Sequence, residues 1–298
     1  RSIAAIRRCL YQSGLLSTYR APKPVVVVGN ITVGGTGKTP VIIALVEALQ
    51  AQGLKPGVVS RGYGASGDQF PHLVTSASIA NECGDEPLLI HRRTGVPCAV
   101  DPDRGRAVRT LLQAHPVDLV LCDDGLQHYA LQRDYEIALL DAQRGTGNGH
   151  CLPMGPLREP VSRLDHVDVV LYRGGDAASH GVLYQPVAWV NVMSGEQRPL
   201  PAFNDAEGID AVAGIGQPEQ FFSSLEQIGI AFTSRVFPDH HHYVAQDFAA
   251  HRGRTILMTE KDAVKCRTLL AGVDAWYLQI DAQLPMAVVN DVAALARS

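Results

Sequence analysis

The fold is decided by the stretch VVVVGNITVGGTGKTP, residues 25–40. Its first four residues are β-branched and apolar, which is typical of a strand that is buried on both faces of a parallel sheet. A glycine-rich turn follows at once. The next residues, 39–50, have the composition and spacing of a helix. The order strand, glycine-rich turn, helix therefore predicts one βα unit of an open α/β sheet.

The turn in this unit has the features of a phosphate cradle. Successive backbone N–H groups in a glycine-rich turn form a nest for an anion, and the helix N-terminus adds the positive end of its dipole. Lys38 would reach the β- and γ-phosphates, and the Thr39 hydroxyl is placed to ligate Mg²⁺. The strict motif has glycine at position 32, where this chain has Thr32. We predict a nucleotide-phosphate site at Gly34, Gly35, Thr36, Gly37, Lys38 and Thr39.

Two adjacent carboxylates follow another apolar run. Residues 117–122 predict a buried strand, and Asp123 and Asp124 come directly after it. Ligands of open α/β sheets bind at the carboxyl ends of the strands, so these acids suit a metal site beside the phosphate loop. Spacing does not decide which acid meets the metal; we assign Asp123 to the metal and Asp124 to the catalytic centre.

The alternation of strands and helices extends along the chain and predicts two domains. Strands are expected at 57–60, 117–122, 136–140 and 167–172, with a helix at 103–114. A stretch rich in Pro, Gly and polar residues follows, and then the alternation restarts with strands at 209–213, 231–237, 255–258 and 276–280 and helices at 218–228 and 261–270. Such alternation indicates doubly wound α/β domains. We predict a P-loop NTPase-like α/β/α domain at 1–195, a linker at 196–208 and a smaller α/β/α domain at 209–298.

Two other patterns indicate sites but are weaker. Residues 62–67 satisfy the dinucleotide pattern GxGxxG, yet the residues after them do not begin a helix, so the pattern lacks its structural context. Asp239, His240, His241 and His242 have the residue types of a metal site. A single cluster without separate ligand pairs is weak evidence for a dedicated metal, and a catalytic or packing role for one histidine is favoured.

Composition narrows the class of protein. A net charge of −4 gives no case for nucleic-acid binding, and the six cysteines include no CxxC pair, which favours a reducing compartment. No apolar run is long enough to span a membrane.

The N-terminal stretch is basic. No acid precedes Glu47, while the same stretch holds Arg1, Arg7, Arg8, Arg20, Lys23 and Lys38. Residues 2–16 place Ile3, Ile6 and Leu10 at helical spacing. This basic leader predicts either a helix packed on its own domain or an amphipathic helix on an anionic membrane surface.

P-loop proteins are either switches or phosphotransferases. A guanine-specific switch usually carries Asn-Lys-x-Asp, and no asparagine of this chain is followed by lysine. The lysine of the partition-type ATPases is also missing before the paired glycines. A kinase that acts on an alcohol needs a base for the hydroxyl proton. Asp85 is a candidate for this base, although a helix-capping role would explain the same residue.

Eight motifs in one order, spread over nearly the whole chain, resemble the lipid A 4′-kinases (tetraacyldisaccharide 4′-kinases). They are residues 28–40, Ser60-Arg61-Gly62-Tyr63-Gly64, Gly84-Asp85-Glu86-Pro87, residues 123–128, Pro156-Leu157-Arg158-Glu159, residues 214–218, residues 237–241 and residues 259–263. Thr32 in place of the first glycine is itself the form found in this family.

The resemblance implies a reaction and a set of site residues. ATP, with Mg²⁺, would phosphorylate the 4′-hydroxyl of an acylated glucosamine disaccharide 1-phosphate at the cytoplasmic face of the bacterial inner membrane. Asp85 would accept the hydroxyl proton, and His240 from the second domain would pair with it. Tyr63, Arg104, His128, Arg158 and Glu159 would surround substrate or nucleotide phosphates. No obligate protein partner is evident.

Two other functions stay open at this stage. A P-loop ATPase whose output is partner binding would turn over nucleotide without phosphorylating an acceptor. A metal-dependent phosphoesterase built on the His240 cluster would lose activity when its metal is removed, but not when Lys38 is replaced. Neither accounts for the basic leader together with the motifs of both predicted domains.

Overall fold

The computed structural model describes residues 2–66, 69–174, 180–251 and 253–297. The protein has a mixed α/β fold, and most neighbouring strands run parallel. The chain divides into two compact units. The first unit contains Arg1–Ser78, Glu82–Tyr184 and Ala282–Ser298, and the second contains Ile79–Asn81 and Gln185–Asp281.

The regular elements are as follows. The helices are α1 (Ser2–Gln12), α2 (Lys38–Ala51), α3 (Ala80–Cys83), α4 (Asp85–Thr94), α5 (Arg104–Ala114), α6 (Pro218–Ile228), α7 (Glu260–Cys266) and α8 (Met286–Arg297). The strands are β1 (Val25–Gly29), β2 (Pro56–Ser60), β3 (His72–Val74), β4 (Cys98–Val100), β5 (Leu119–Asp123), β6 (Tyr135–Asp141), β7 (Val169–Arg173), β8 (Gly181–Asn191), β9 (Gln197–Arg198), β10 (Ile209–Ala213), β11 (Thr233–Val236), β12 (Thr255–Thr259) and β13 (Ala275–Gln283).

The sheet of the first unit has β1 near its centre. Its strand order is β7-β6-β1-β5-β2-β4-β3, with the first residues of β8 beside β7. All these neighbours are parallel except β3, which is antiparallel to β4. β1 and β5 are buried along their whole length, which is why both read as continuous apolar runs. In their register Val28 pairs with Asp123, so the carboxyl ends of both strands lie at one edge of the sheet.

Local signals explain where the helices of this unit begin and end. α4 follows Gly84, has acids in its first turn and basic residues in its last, and ends at Gly95 in the left-handed conformation. This charge distribution complements the helix dipole. α5 is capped by Asp103, whose side chain accepts a hydrogen bond from Arg106 N. α8 also belongs to the first unit, where Asp291 accepts a hydrogen bond from the Tyr135 hydroxyl and Arg297 donates one to Gln52.

The second unit has a smaller sheet. β11, β10, β12 and β13 are parallel neighbours in that order, and β9 is antiparallel to the end of β8. Its core includes the side chains of Trp189, Phe203 and Trp276, and the Phe203 ring meets both indoles edge to face. Aromatic pairs of this geometry add to the energy of apolar burial.

The N-terminal helix α1 leaves apolar side chains exposed. Ile6 is exposed, as are Leu15 and Leu16 in the turn after the helix. Arg1 and the side chain of Ile3, both part of the predicted basic leader, lie outside the described residues. Among the described helices, none combines the length and apolar character needed to cross a bilayer.

The observed division of the chain differs from the predicted one. The stretch predicted as a linker, 196–208, belongs to the second unit and contains β9 and a 3-10 helix, Leu200–Phe203. Residues 282–298 were predicted in the second domain but belong to the first unit. Smaller differences concern element ends: α7 stops at Cys266 and is followed by a 3-10 turn, and β11 is shorter than predicted.

Candidate functional site

The turn between β1 and α2 depends on two glycines with left-handed backbone. Gly34 has φ +96° and Gly37, at the N-cap of α2, has φ +85°. A Cβ at Gly37 would lie 2.8 Å from the Tyr184 hydroxyl, which donates a hydrogen bond to Gly37 O at 2.8 Å. No side chain caps α2. Its N-terminus therefore has the positive dipole end and the backbone donors of an anion site.

Asn30 organises the turn from inside and was not predicted as a site residue. It is fully buried, and its Nδ2 donates to Thr36 Oγ1 at 3.1 Å. Its Oδ1 accepts from Lys38 Nζ at 3.5 Å. A single amide side chain thus holds the middle of the turn and orients the lysine that follows it.

Asp124 lies between two cations. Its Oδ1 is 3.4 Å from Lys38 Nζ, and its Oδ2 accepts a hydrogen bond from Arg158 at 2.8 Å. Arg158 is brought there because its strand-like segment pairs with the turn: Arg158 N donates to Ile31 O, and Val33 N donates to Pro156 O. Although burial opposes ionisation, Lys38 and Arg158 lower the pKa of Asp124 below its usual value.

Asp123 has the opposite electrostatic environment. Burial, together with the carboxylates of Glu86 and Asp124, raises the pKa of Asp123 to about 7. Lys38 and a hydrogen bond from Ser60 Oγ to Asp123 Oδ2, 3.1 Å long, oppose this rise. The other oxygen, Oδ1, is buried and has no hydrogen-bond partner in the described part of the chain. The Oδ1 atom of Asp124 likewise has no hydrogen bond within the described residues, but it lies 3.4 Å from Lys38 Nζ. The two adjacent acids therefore differ in charge environment: each oxygen of Asp124 faces a cation, whereas Asp123 is dominated by burial.

Asp85 lies at the start of α4, held by close backbone packing. It is buried, and its Oδ1 accepts from Glu86 N at 2.9 Å. Gly84 before it has φ +88°, and a Cβ there would lie 2.9 Å from Tyr63 O. A Cβ on Gly62 would likewise collide with Val100. The motif at 60–64 and the motif at 84–87 therefore pack directly on each other, whereas the Tyr63 side chain is exposed.

Glu159 is a buried acid. Its Oε2 accepts from Gln127 Nε2 at 2.9 Å, and the same amide donates to Asn30 O at 3.0 Å. Its Oε1 accepts from the Tyr129 hydroxyl, and Arg163 lies 3.9 Å away. Gln127 thereby links Glu159 to the residue that holds the glycine-rich turn.

Arg104 is buried and lies near the partly buried His128, and the arginine supplies the positive charge of this region. Arg104 donates to Asp101 O at 3.2 Å, while its Nε has no partner among the described residues. Burial, with Arg104 and Arg133 nearby, lowers the pKa of His128 to about 4. Its buried Nε2 also lacks a hydrogen-bond partner in the described part of the chain. Arg104 Nε therefore has a donor left for an anionic group, next to an imidazole that is neutral at pH 7.

The three histidines of the second unit have separate surroundings. His240 has left-handed backbone, φ +57°, and its Nε2 lies 3.4 Å from Lys261 Nζ. His241 Nε2 is 3.0 Å from Asp247, and His242 Nδ1 is 3.3 Å from Asn81 Oδ1. In the described ranges no three His, Cys, Asp or Glu side chains are grouped as a metal site. Of the dinucleotide-like pattern, Gly67 lies outside the described residues, and 61–66 contain no helix.

Four of the predicted residues of the first unit come together at one edge of its sheet. Lys38, Asp123, Asp124 and Arg158 meet there, at the start of α2. Thr39 is the second residue of that helix. A glycine-rich turn whose lysine faces carboxylates at the end of a neighbouring strand defines the class of P-loop nucleotide-binding proteins.

Comparison with known proteins gives the family. The family model described as "LpxK: Tetraacyldisaccharide-1-P 4'-kinase" matches residues 1–297. A tetraacyldisaccharide 4'-kinase of Pseudomonas aeruginosa PAO1 is 53% identical over 285 residues, 95% of this chain and 86% of the relative. One of Azotobacter vinelandii is 52% identical over 302 residues, 100% of this chain and 90% of the relative. The chain belongs to the tetraacyldisaccharide-1-P 4'-kinase family.

A solved structure has the same fold. The crystal structure of LpxK from Aquifex aeolicus, described as an "apo" form in complex with ATP, superposes with a TM-score of 0.82. The two sequences are 26% identical, and the superposition covers 99% of this chain and 94% of the Aquifex aeolicus chain. The predicted family is confirmed.

Proposed function

We propose that this chain is an ATP-dependent kinase that phosphorylates the 4′-hydroxyl of a tetraacyl glucosamine disaccharide 1-phosphate in lipid A biosynthesis. Family membership and the names of the relatives support the reaction class. The observation that carries the mechanism is Lys38 at the uncapped N-terminus of α2, 3.4 Å from Asp124. We assign this chemistry to a P-loop NTPase-like domain in the first unit and an accessory role to the smaller α/β unit.

Residues 34–39 would hold the triphosphate of ATP. The left-handed glycines at 34 and 37 turn the backbone toward the start of α2, where the dipole favours negative charge. Asn30 and Asp124 hold the Lys38 ammonium at this site, ready to contact the β- and γ-phosphates. The structural relative that contains ATP supports the choice of nucleotide.

The residues present fit a Mg²⁺ ion. Mg²⁺ prefers carboxylate, hydroxyl and phosphate oxygens, and it takes few ligands from the protein. The Oδ1 atoms of Asp123 and Asp124 both lack a hydrogen bond in the described part of the chain, but both oxygens of Asp124 face cations, so we assign the metal to Asp123 and Thr39. When bound, Mg²⁺ would neutralise charge on the phosphate oxygens. Asp124 would keep Lys38 and Arg158 in place for the same oxygens.

Asp85 would accept the proton of the attacking hydroxyl, and His240 would tune it. Asp85 is buried at the start of α4 and packed against the motif that carries Tyr63, which suits a group that must be held in one position. Asp85 belongs to the first unit and His240 to the second.

The remaining family positions divide into contact and support roles. Tyr63 is exposed and available to a substrate, and Arg104 and His128 offer a cationic region with unused donor capacity. Arg158 would contact a phosphate while bound to Asp124. Glu159 is instead proposed as a support residue, because its hydrogen bonds go to Gln127 and Tyr129.

The helix α1 would hold the enzyme at the cytoplasmic face of the bacterial inner membrane. Ile6, Leu15 and Leu16 are exposed, and Arg7 and Arg8 lie in the same helix. Exposed apolar side chains flanked by basic ones are typical of helices that lie in the interface of an anionic bilayer. Because the proposed substrate is a lipid, a helix in the membrane interface would bring the enzyme to it.

The test is phosphate transfer from labelled ATP to the lipid disaccharide 1-phosphate, followed by chromatography of the lipid. Lys38→Ala and Asp85→Ala should each abolish transfer. Thr39→Ala should chiefly weaken the use of Mg²⁺-ATP. Labelled inorganic phosphate without labelled lipid in the wild type would overturn the kinase and favour a P-loop ATPase switch. Full activity of a folded Asp85→Ala variant would remove Asp85 as the base.

A further inference from the structure

Asp262 has an environment that its place in the sequence does not explain. It is fully buried, at the third position of α7, and Asp262 N donates to the N-cap Thr259. In a capping box an acid at this position reaches back to the backbone N–H of the N-cap residue. The Asp262 carboxylate instead accepts from the Thr259 hydroxyl, from its own helix and from two more distant parts of the second unit.

Four donors use both oxygens of this carboxylate. Oδ2 accepts from Gly214 N at 3.0 Å and from the Thr259 hydroxyl at 2.6 Å. Oδ1 accepts from the Tyr243 hydroxyl at 3.0 Å and lies 2.9 Å from Lys265 Nζ. A carboxylate has about four lone-pair sites, so Asp262 is saturated. It joins the end of β10, the start of α7 and the segment around Tyr243.

The packing around Gly214 shows how tightly this junction is built. A Cβ at Gly214 would lie 2.7 Å from the Tyr243 hydroxyl and 3.1 Å from Asp262 Oδ1. Only glycine lets the backbone approach both groups. Lys265 Nζ adds a contact of 3.4 Å to Gly214 O. This accounts for the first glycine of the motif at 214–218, which the proposed chemistry does not otherwise use.

Tyr243 connects this junction to residues 237–243, which we call the histidine loop. Phe237 N donates to Ala213 O at 2.8 Å, so the loop begins beside the junction, and Tyr243 ends it there. Between them the His241 ring stacks on Phe237 at 4.7 Å and meets Tyr243 edge-on at 4.8 Å. Asp247 contacts His241 Nε2 at 3.0 Å and accepts from Val244 N, directly after the loop, at 2.9 Å.

His240 lies within this loop with a conformation that a non-glycine residue rarely adopts, φ +57°. A left-handed backbone persists only where surrounding contacts fix it. Its Nε2 lies 3.4 Å from Lys261 Nζ, and Lys261 directly precedes Asp262 in α7. Tyr243, which ends the loop that carries His240, is hydrogen-bonded to Asp262. Lys261, which faces the His240 imidazole, is the neighbour of Asp262 in α7. Asp262 therefore anchors both sides of this contact.

We propose that Asp262 is a positioning residue for His240: through Tyr243 and Gly214 it fixes the histidine loop, and through α7 it fixes Lys261 opposite the imidazole. The proposal rests on the proposed role of His240 in the kinase. Asp262 acts through other residues and contacts no reacting atom. Burial and the nearby Asp262 raise the pKa of Tyr243 above its ordinary value, so the phenol remains a hydrogen-bond donor at neutral pH.

The test uses Tyr243→Phe and Asp262→Asn. Tyr243→Phe removes one hydroxyl and keeps the ring contacts with Phe237, His241 and Phe248. We expect each variant to lower kcat by about tenfold or more, while KM for Mg²⁺-ATP stays within about twofold. The ring signals of His240 and His241 in NMR spectra should shift and broaden. If Asp262→Asn does not fold, the kcat and the histidine signals of Tyr243→Phe alone test the proposal.

Asp210→Asn is the matched control. Asp210 is a buried acid on β10, the strand that leads to Gly214, and it is paired with Arg254 at 2.8 and 3.0 Å. The control should lose stability but keep kcat within about twofold and leave the His240 signals unchanged. An equal loss of kcat in the control would reduce Asp262 to a structural acid and overturn the proposal.

A double substitution separates this proposal from the proposed function. If Tyr243 acts through His240, then His240→Ala with Tyr243→Phe should be no slower than His240→Ala alone. Full activity in His240→Ala would overturn the catalytic role of His240, and the histidine signals would still decide whether Asp262 fixes the loop. Low activity in His240→Ala, with normal kcat and unchanged histidine signals in Tyr243→Phe, would overturn the positioning role.

Discussion

Ser60 donates a hydrogen bond to Asp123, from Oγ to Oδ2 at 3.1 Å, across the neighbouring parallel strands β2 and β5. The two residues are the last of their strands, and both are buried. The bond stabilises the ionised form of a carboxyl whose pKa is raised by burial. It therefore ties the motif that begins at Ser60 to the acid that we assign to the metal.

Ser60→Ala should weaken the use of Mg²⁺. Removing the hydroxyl takes away an interaction that lowers the pKa of Asp123, so the pKa rises further above about 7 and a smaller fraction is ionised at pH 7. We expect the half-saturating Mg²⁺ concentration to increase about three- to tenfold at pH 7, and the difference to shrink at pH 8.5. Ser78→Ala, which changes a buried serine bound to His72 and Thr75, is the control. Equal Mg²⁺ dependence in both variants would contradict the assignment.

Gly84→Ala should damage the site that contains Asp85. The substitution places a Cβ in a left-handed backbone and 2.9 Å from Tyr63 O. Gly95→Ala, at the other end of α4, has φ +66° but no atom within 4 Å of its Cβ. Urea unfolding should show a loss of about 1 kcal/mol for Gly95→Ala, from backbone strain alone, and a larger loss for Gly84→Ala. Only Gly84→Ala should lose kinase activity; similar activity in both would mean that the close approach is not needed.

His128 should make the protein less stable in mild acid. Its pKa is lowered from an ordinary 6.5 to about 4, chiefly by burial. Between these values the unfolded chain binds more protons than the native protein, so the free energy of unfolding falls as the pH drops from about 6.5 to about 4. We expect His128→Asn to flatten this part of the stability curve. Urea unfolding at pH 7.5 and 5.0 measures the difference, and parallel curves for the two proteins would disprove the effect.

Replacing Ile6 and Leu15 with serine should release the protein from anionic vesicles. Both side chains are exposed, and each apolar side chain buried in a bilayer interface contributes about 1.5–3 kcal/mol. We expect the vesicle affinity of the double variant to fall by at least about tenfold, while transfer to a detergent-dispersed substrate is retained. Val236→Ser removes an equally exposed residue in the second unit and should not affect sedimentation with vesicles. Unchanged binding of the double variant would point to a different membrane-facing surface.

The sequence alone predicts the parts of this fold that depend on local pattern. The valine run of β1, the turn at 34–39 and the start of α2 are contiguous, so their geometry follows from residue types and order. β5 and its two acids could be predicted for the same reason, because parallel strands end at one edge. The mixed α/β class and the family were predicted correctly.

Features that depend on distant residues could not be predicted. Asn30 reads as an ordinary polar residue until Thr36 and Lys38 are seen to surround it. Tyr184 lies far along the chain from Gly37, whose carbonyl it binds. Asp123 and Asp124 look equivalent in sequence, and only burial and the pairing of 156–158 with the turn separate them.

The C-terminal helix has a consequence for how the protein is made. Residues 282–297 return to the first unit, where α8 supplies buried Val288, Val289 and Val292. During translation the domain that carries Lys38 must therefore wait, incomplete, while the whole second unit leaves the ribosome. Removal of α8 would therefore destabilise the first unit rather than the second, although the second unit precedes α8 in the chain.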